Sequence, residues 1–173
     1  MSAHEHEQFL KTWDAEAQRA ILVMNSLPAN QYDFRPYPDG RSIGEMAWHL
    51  AEGDAYMTFG IENSGFAANT KPPGIERPKT IAELAAGYER VHREAVARVK
   101  KLTPADYDRS IPFFNGQPMV IRDILWNVVL HHHIHHRAQL VLMCRMAGGT
   151  PPGIYGPNRE ETQKMMEAMK AKA

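Results

Sequence analysis

The chain has 173 residues, 43% of them hydrophobic, enough to bury one core of ordinary size, and it reads as a single domain over 1–173. Twenty basic residues balance twenty acidic ones, which excludes the net field that would steer a chain to nucleic acid or an anionic membrane. The lone Cys144 excludes an internal disulfide, the N-terminus lacks the apolar run of a signal peptide, and no apolar stretch approaches the roughly 18 residues of a membrane span, so a cytoplasmic protein is expected.

Along the chain the recurring signal is helical periodicity broken by loops rich in proline and glycine. A first amphipathic helix is predicted over 6–27, where Phe9, Trp13, Ala17, Ala20, Ile21, Met24 and Leu27 recur at spacings of three and four and Pro28 stops the run. Ser42 and Glu45 form an S-x-x-E capping box, in which each side chain satisfies a free backbone N–H, so a second helix is predicted from Ile43 to about Phe59. After the loop 63–78, Thr80 and Glu83 mark a third helix ending near Leu102. Pro104 following Thr103 predicts at most a short helical turn, and Asn115-Gly116 between two apolar pieces predicts a small hairpin limited by Pro112 and Pro118. A fourth long helix over 121–146 ends at Gly148-Gly149, and Asn158 with Glu161 caps a last short helix containing Met165, Met166 and Met169. Four long helices and a short one predict an all-α bundle.

The chemistry concentrates in the fourth helix, where His131, His132, His133, His135 and His136 account for five of nine histidines. On a wheel advancing about 100° per residue with His132 at zero, Ile121, Leu125 and Met143 fall within roughly 20° and His136 at about 40°, so His132 and His136 are the pair expected to point inward. His131, His133 and His135 are expected to flank that face or reach solvent. Two neutral imidazoles one turn apart suit a shared metal ion, as in H-E-x-x-H helices; the competing reading is a pair of hydrogen-bonded core histidines. His49, on the shoulder of the apolar stripe of the second helix, is either a third ligand or a satisfied core residue. His92, in a charged helix, and His4 and His6, near the terminus, are expected at the surface. Cys144 falls on the far side of its helix from His132, which argues against a ligand role. Asp54, although near His49 in sequence, lies about 140° round the helix from it.

These residues carry a resemblance. The segments 37–50 (YPDGRSIGEMAWHL), 132–140 (HHIHHRAQL) and 152–157 (PGIYGP) together resemble the DinB-like family, a metal-binding four-helix superfamily that includes bacillithiol and mycothiol transferases. The resemblance implies an up-down-down-up bundle, frequently a homodimer, with a histidine of the second helix and an H-x-x-x-H-R-G-Q pair of a later helix binding a divalent metal. Those positions fall on His49, His132 and His136; Ala138 stands where the family usually has glycine.

Three histidines leave coordination positions open, as catalytic rather than structural metal sites do. Imidazole donors suit zinc or nickel among several ions. The leading expectation is a metal-dependent enzyme of the thiol-S-transferase type, in which the metal activates a low-molecular-weight thiol against an electrophilic small molecule. The alternatives are a metal-dependent hydrolase using bound water and a non-catalytic, stress-associated metal-binding protein. Arg41, Arg137, Gln139 and Tyr155 are candidates for substrate contact; for Arg137 and Gln139 the competing reading is capping and inter-helix hydrogen bonding.

Overall fold

The computed structural model describes residues 3–66 and 71–171; Met1, Ser2, residues 67–70 of the predicted loop and residues 172–173 lie outside the described part. Three long helices are α1 (Ala3–Asn25), α2 (Ile43–Glu62) and α3 (Ile81–Val99), followed by a 3-10 turn, Asp106–Asp108. Strands β1 (Ser110–Pro112) and β2 (Pro118–Val120) pair antiparallel, with Ile111 opposite Met119. The fourth long helix, α4, spans 121–146, and α5 (Arg159–Lys170) closes the chain. Among the described residues no helix is long and apolar enough to cross a membrane.

The capping boxes predicted at Ser42 and Asn158 are both closed in the structure. At α3 the prediction needs amending, because Thr80 makes no side-chain bond to the helix backbone; its hydroxyl donates instead to the Glu83 carboxylate at 2.6 Å. The hairpin also differs from a two-residue Asn-Gly turn. Gly116 takes φ +77° and its N–H bonds back to the Phe113 carbonyl, so it serves as the left-handed residue that ends a three-residue loop. That geometry leaves Phe114 at the tip, 60% exposed.

Side-chain pairings give the helix directions. Glu16 meets Arg137 and Ser26 meets Cys144, so α1 and α4 run the same way. His49 lies against His136 and Gly53 against His132, so α2 opposes α4. Asp54 meets Tyr88 and His92 while Glu62 meets Lys101, so α2 and α3 run together. The result is an up-down-down-up bundle in which α1 and α2 each pack mainly against α3 and α4. Trp13, Ala17, Ala20 and Met24 of α1 are buried as their spacing predicts. Helix α2 is buried on most of its circumference, with Ala47, Ala51 and Ala55 letting its neighbours approach.

Helix α4 is not uniformly α. Its segment Ile124–His131 is π-helical, closing i→i+5 bonds and so winding more slowly than 100° per residue. Residues spaced by four, Ile121, Leu125, Val129, His133 and Arg137, therefore stay on one side, and all are buried. A plain α-helix would have carried that row progressively around its axis. The wheel centred on His132 is thus corrected: the core face runs through His133, and His132 and His136 lie one residue round from it, half-buried, on a stripe with Val128 and Gln139. Ala138 is exposed, so close helix packing does not depend on a glycine there.

Candidate metal centre

His49 stands on α2 one turn from Gly53; His132 and His136 stand one turn apart on the antiparallel α4. Their rings meet edge to face, with centroids 5.0 Å (His49–His132), 4.6 Å (His49–His136) and 4.2 Å (His132–His136) apart. One nitrogen of each lies within 4.8 Å of one nitrogen of the others, and this is the only such group of three metal-ligating side chains among the described residues. The structure thus brings together the three histidines singled out in the sequence, while His131 and His135 are exposed.

Two of the three rings have a polar partner at Nδ1. Gln139 Oε1 accepts from His136 Nδ1 at 2.7 Å, and the Glu52 carboxylate lies 3.4 Å from His49 Nδ1, which leaves Nε2 of each ring free. Burial, reinforced by the adjacent His136 and His49, pushes the His132 pKa down to about 4, so this imidazole is neutral at pH 7. Burial lowers His136 as well, against the opposing pull of Gln139. Imidazole nitrogens clustered in this way suit a divalent transition metal, and hydrogen bonds to the outer nitrogens fix the orientation of two of the rings. Gln139 therefore bonds a histidine of its own helix rather than tying two helices together. Glu52 was not singled out in the sequence, although its i,i+3 offset from His49 placed it on the same face.

The rings border two cavities. One, of about 500 Å³, is lined by His49, His132, Gly53, Tyr56, Met57, Val128, Phe114, Glu52 and Arg41. The other, of about 290 Å³, holds His136, Gln139, Tyr37, Met46, Leu142 and again Arg41. Phe114 reaches the first cavity because the hairpin tip rests on Phe66 and Phe113, and Phe66 lies where a Cβ on Gly60 would stand 2.2 Å from its ring. Such a cavity beside a histidine cluster has the volume and mixed lining of a small-molecule site.

The remaining candidates fall elsewhere. His133 is 2% exposed rather than solvated, and His92, expected at the surface, is 4% exposed. Both face Asp54: His92 Nδ1 lies 2.8 Å from Asp54 Oδ2, and His133 Nδ1 lies 3.9 Å from Oδ1. Trp13 Nε1–H and the Tyr88 hydroxyl also donate to this carboxylate, each at 3.2 Å. Burial, followed by the Asp54 charge, raises the Tyr88 pKa far above its ordinary value, so the phenol keeps its proton. The charged residues around His92 conceal its inward face because its i−4 and i+3 neighbours, Tyr88 and Ala95, are the buried ones.

Arg137 is buried and bonds the Glu16 carboxylate and, at 2.7 Å, the Tyr155 hydroxyl, which itself donates to Glu16 at 2.6 Å. This pins the loop after α4 to α1, away from the three histidines, and removes Arg137 and Tyr155 from the substrate candidates. Cys144 is buried against Ser26, also away from them.

Comparison with known proteins places this geometry. The sequence profile of the DinB superfamily matches residues 12–140. The uncharacterized protein YrdA of Bacillus subtilis is 31% identical over 169 residues, 95% of this chain and 96% of YrdA. The crystal structure of a DinB-like protein from Bacillus cereus ATCC 10987 superposes with a TM-score of 0.72 at 27% identity, covering 86% of this chain and 97% of that one. YfiT from Bacillus subtilis, described as a probable metal-dependent hydrolase with an unusual four-helix bundle topology, has the same fold: its TM-score is 0.68 at 13% identity, with 87% of this chain and 91% of YfiT covered.

Proposed function

The chain belongs to the DinB superfamily, and from that premise we propose that it is a divalent-metal-dependent enzyme acting on a small molecule, with His49, His132 and His136 as ligands of zinc or nickel. The observation that carries this reading is the convergence of three imidazoles from two antiparallel helices at the wall of a 500 Å³ cavity. A divalent ion held by His49, His132 and His136 would supply Lewis acidity and would lower the pKa of a thiol or water bound to it. Within the chain, Gln139 and Glu52 orient two of the ligand rings, and Tyr56 and Phe114 give the cavity aromatic walls.

Two cavities bordered by these histidines would admit two organic reactants, and this supports thiol transfer to an electrophile as the first reading. Hydrolysis is the second reading, and it has one observation in its favour: Glu52 is the single carboxylate in the cavity lining, the residue type a general base needs.

Elemental analysis of untagged protein tests the ligand set. His49→Ala, His132→Ala and His136→Ala should each lower metal content several-fold, while His131→Ala, at an exposed position, should retain it; equal loss from His131→Ala would overturn the assignment. A panel of thiols with a chlorinated electrophile, run beside ester and amide substrates, separates transfer from hydrolysis.

A further inference from the structure

Arg41 is the residue the proposed reaction leaves without a task. It precedes the Ser42 cap of α2, is exposed, and lines both cavities. Among the described residues its guanidinium takes no hydrogen bond and no ion pair. Its neighbours in the sequence and in space are paired: Arg35 binds Glu45 through two bonds of 2.6 and 2.8 Å, and Arg77 lies 3.8 Å from the same carboxylate. The Glu45 carboxylate is therefore taken up, and Arg41 lines the cavities unpaired.

The charge count around it is lopsided. The three imidazoles contribute no negative charge, a divalent ion would add two positive charges and Arg41 one, against Glu52 alone, which is engaged with His49. The walls are apolar and aromatic: Tyr56, Phe114 and Val128 on one side, Tyr37 and Leu142 on the other, with Tyr37 and Phe114 exposed at 62% and 60%. An unpaired guanidinium in a cavity wall shared with exposed aromatic rings suits a molecule with an oxyanion at one end and an apolar body at the other, because the planar fork takes carboxylate or phosphate through two parallel bonds.

The geometry points to Arg41 as the specificity-determining residue of this site, binding the carboxylate or phosphate of an apolar small-molecule substrate whose body lies against Phe114 and Tyr56 and whose reacting atom comes to the three histidines. This rests on the reading of His49, His132 and His136 as the reaction centre. Bridging both cavities, Arg41 would accept such an anion from either side.

The test uses the full chain loaded with zinc, with zinc content measured in every sample. Wild type, Arg41→Gln and Arg41→Lys are titrated calorimetrically with 3-phenylpropionate, with phenyl phosphate, and with 3-phenylpropanamide as the uncharged counterpart. At least one anion should bind wild type more tightly than the amide and lose about 10- to 100-fold in Arg41→Gln, in keeping with the strength of a hydrogen bond to a charged group. Arg41→Lys should recover part of that loss, and which anion responds identifies the oxyanion. Phe114→Ala should weaken anion and amide alike. All three variants should melt as wild type does, since both side chains are exposed.

Anion affinity unchanged in Arg41→Gln but lost on zinc removal would place the anion on the metal and overturn the inference. Amide binding equal to that of both anions would overturn it too. Wild type that holds no zinc would instead overturn the metal reading, and Arg41-dependent anion binding to that metal-free protein would still uphold the role of Arg41.

Discussion

His132 and His133 are adjacent, as are Gly53 and Asp54, yet they serve opposite faces of the same two helices. Toward solvent, His49, His132 and His136 meet ring to ring beside a cavity, with lone pairs unclaimed by any carboxylate except through the outer nitrogen of His49. Toward the core, His92 and His133 turn to Asp54, whose oxygens also take the Trp13 and Tyr88 donors. In the interior the Asp54 carboxylate gathers Trp13, Tyr88 and His92, with His133 3.9 Å away, which ties α1, α2, α3 and α4 together, while Nε2 of His92 and of His133 takes no hydrogen bond. At the cavity the three rings face one another with no buried carboxylate among them. A histidine's function here follows from whether a buried carboxylate reaches its ring.

The sharpest break of this contrast is Asp54→Ala. It strips the acceptor from three buried donors and should cost upwards of about 3 kcal/mol, read as a fall in denaturation midpoint at unchanged m-value. His136→Ala should leave the metal-free protein within about 1 kcal/mol of wild type, because its half-buried ring anchors no core donor. Equal destabilisation by the two would erase the distinction between the regions.

Next in size is Gln139→Leu, which removes the acceptor for His136 Nδ1 and should weaken metal affinity about 10- to 100-fold, measured by competition with a chelator. Fold stability without metal should barely change.

The smallest effect is on pH dependence. His132 has a folded pKa of about 4, below the 6.5 of an unfolded histidine, so between those values the unfolded chain binds more protons. Stability of the metal-free protein therefore rises with pH through that window and is lost on acidification from 6.5 toward 4. His132→Ala should flatten this slope in denaturation experiments at pH 5 and 7. Glu16 contributes at lower pH in the same sense. Burial raises its pKa, but hydrogen bonds from Tyr155 and Arg137 outweigh burial and leave it below the usual carboxylate value; its stabilisation is present above about 4.5 and fades as pH falls through the depressed value. An unchanged slope in His132→Ala would mean that this ring meets water as freely as His131.

Much of the bundle was legible because its signals are local. The serine and asparagine caps, the prolines after helices and the three-and-four spacing of Phe9, Trp13, Ala17 and Ala20 depend only on nearest turns. The histidine trio was legible through i,i+4 spacing on α4 and through family resemblance for His49. The burial of His133 was not, because the wheel assumes one winding rate and the π-helical segment Ile124–His131 changes it. Nor was the inward turn of His92, whose partner Asp54 lies 38 residues away.

The sequence by itself determined the number and approximate places of the helices, the caps at Ser42 and Asn158, the hairpin and the one-turn spacing of His132 and His136, since each is set by interactions within a few residues. Only the tertiary structure decided that His49 closes the trio, that Asp54 draws His92 and His133 into the core, that Arg137 is taken by Glu16, and that Arg41 is left free over the cavities. Those outcomes depend on which helices run side by side and in which direction, and on the phase of α4, quantities fixed by packing across the whole bundle rather than by any one segment.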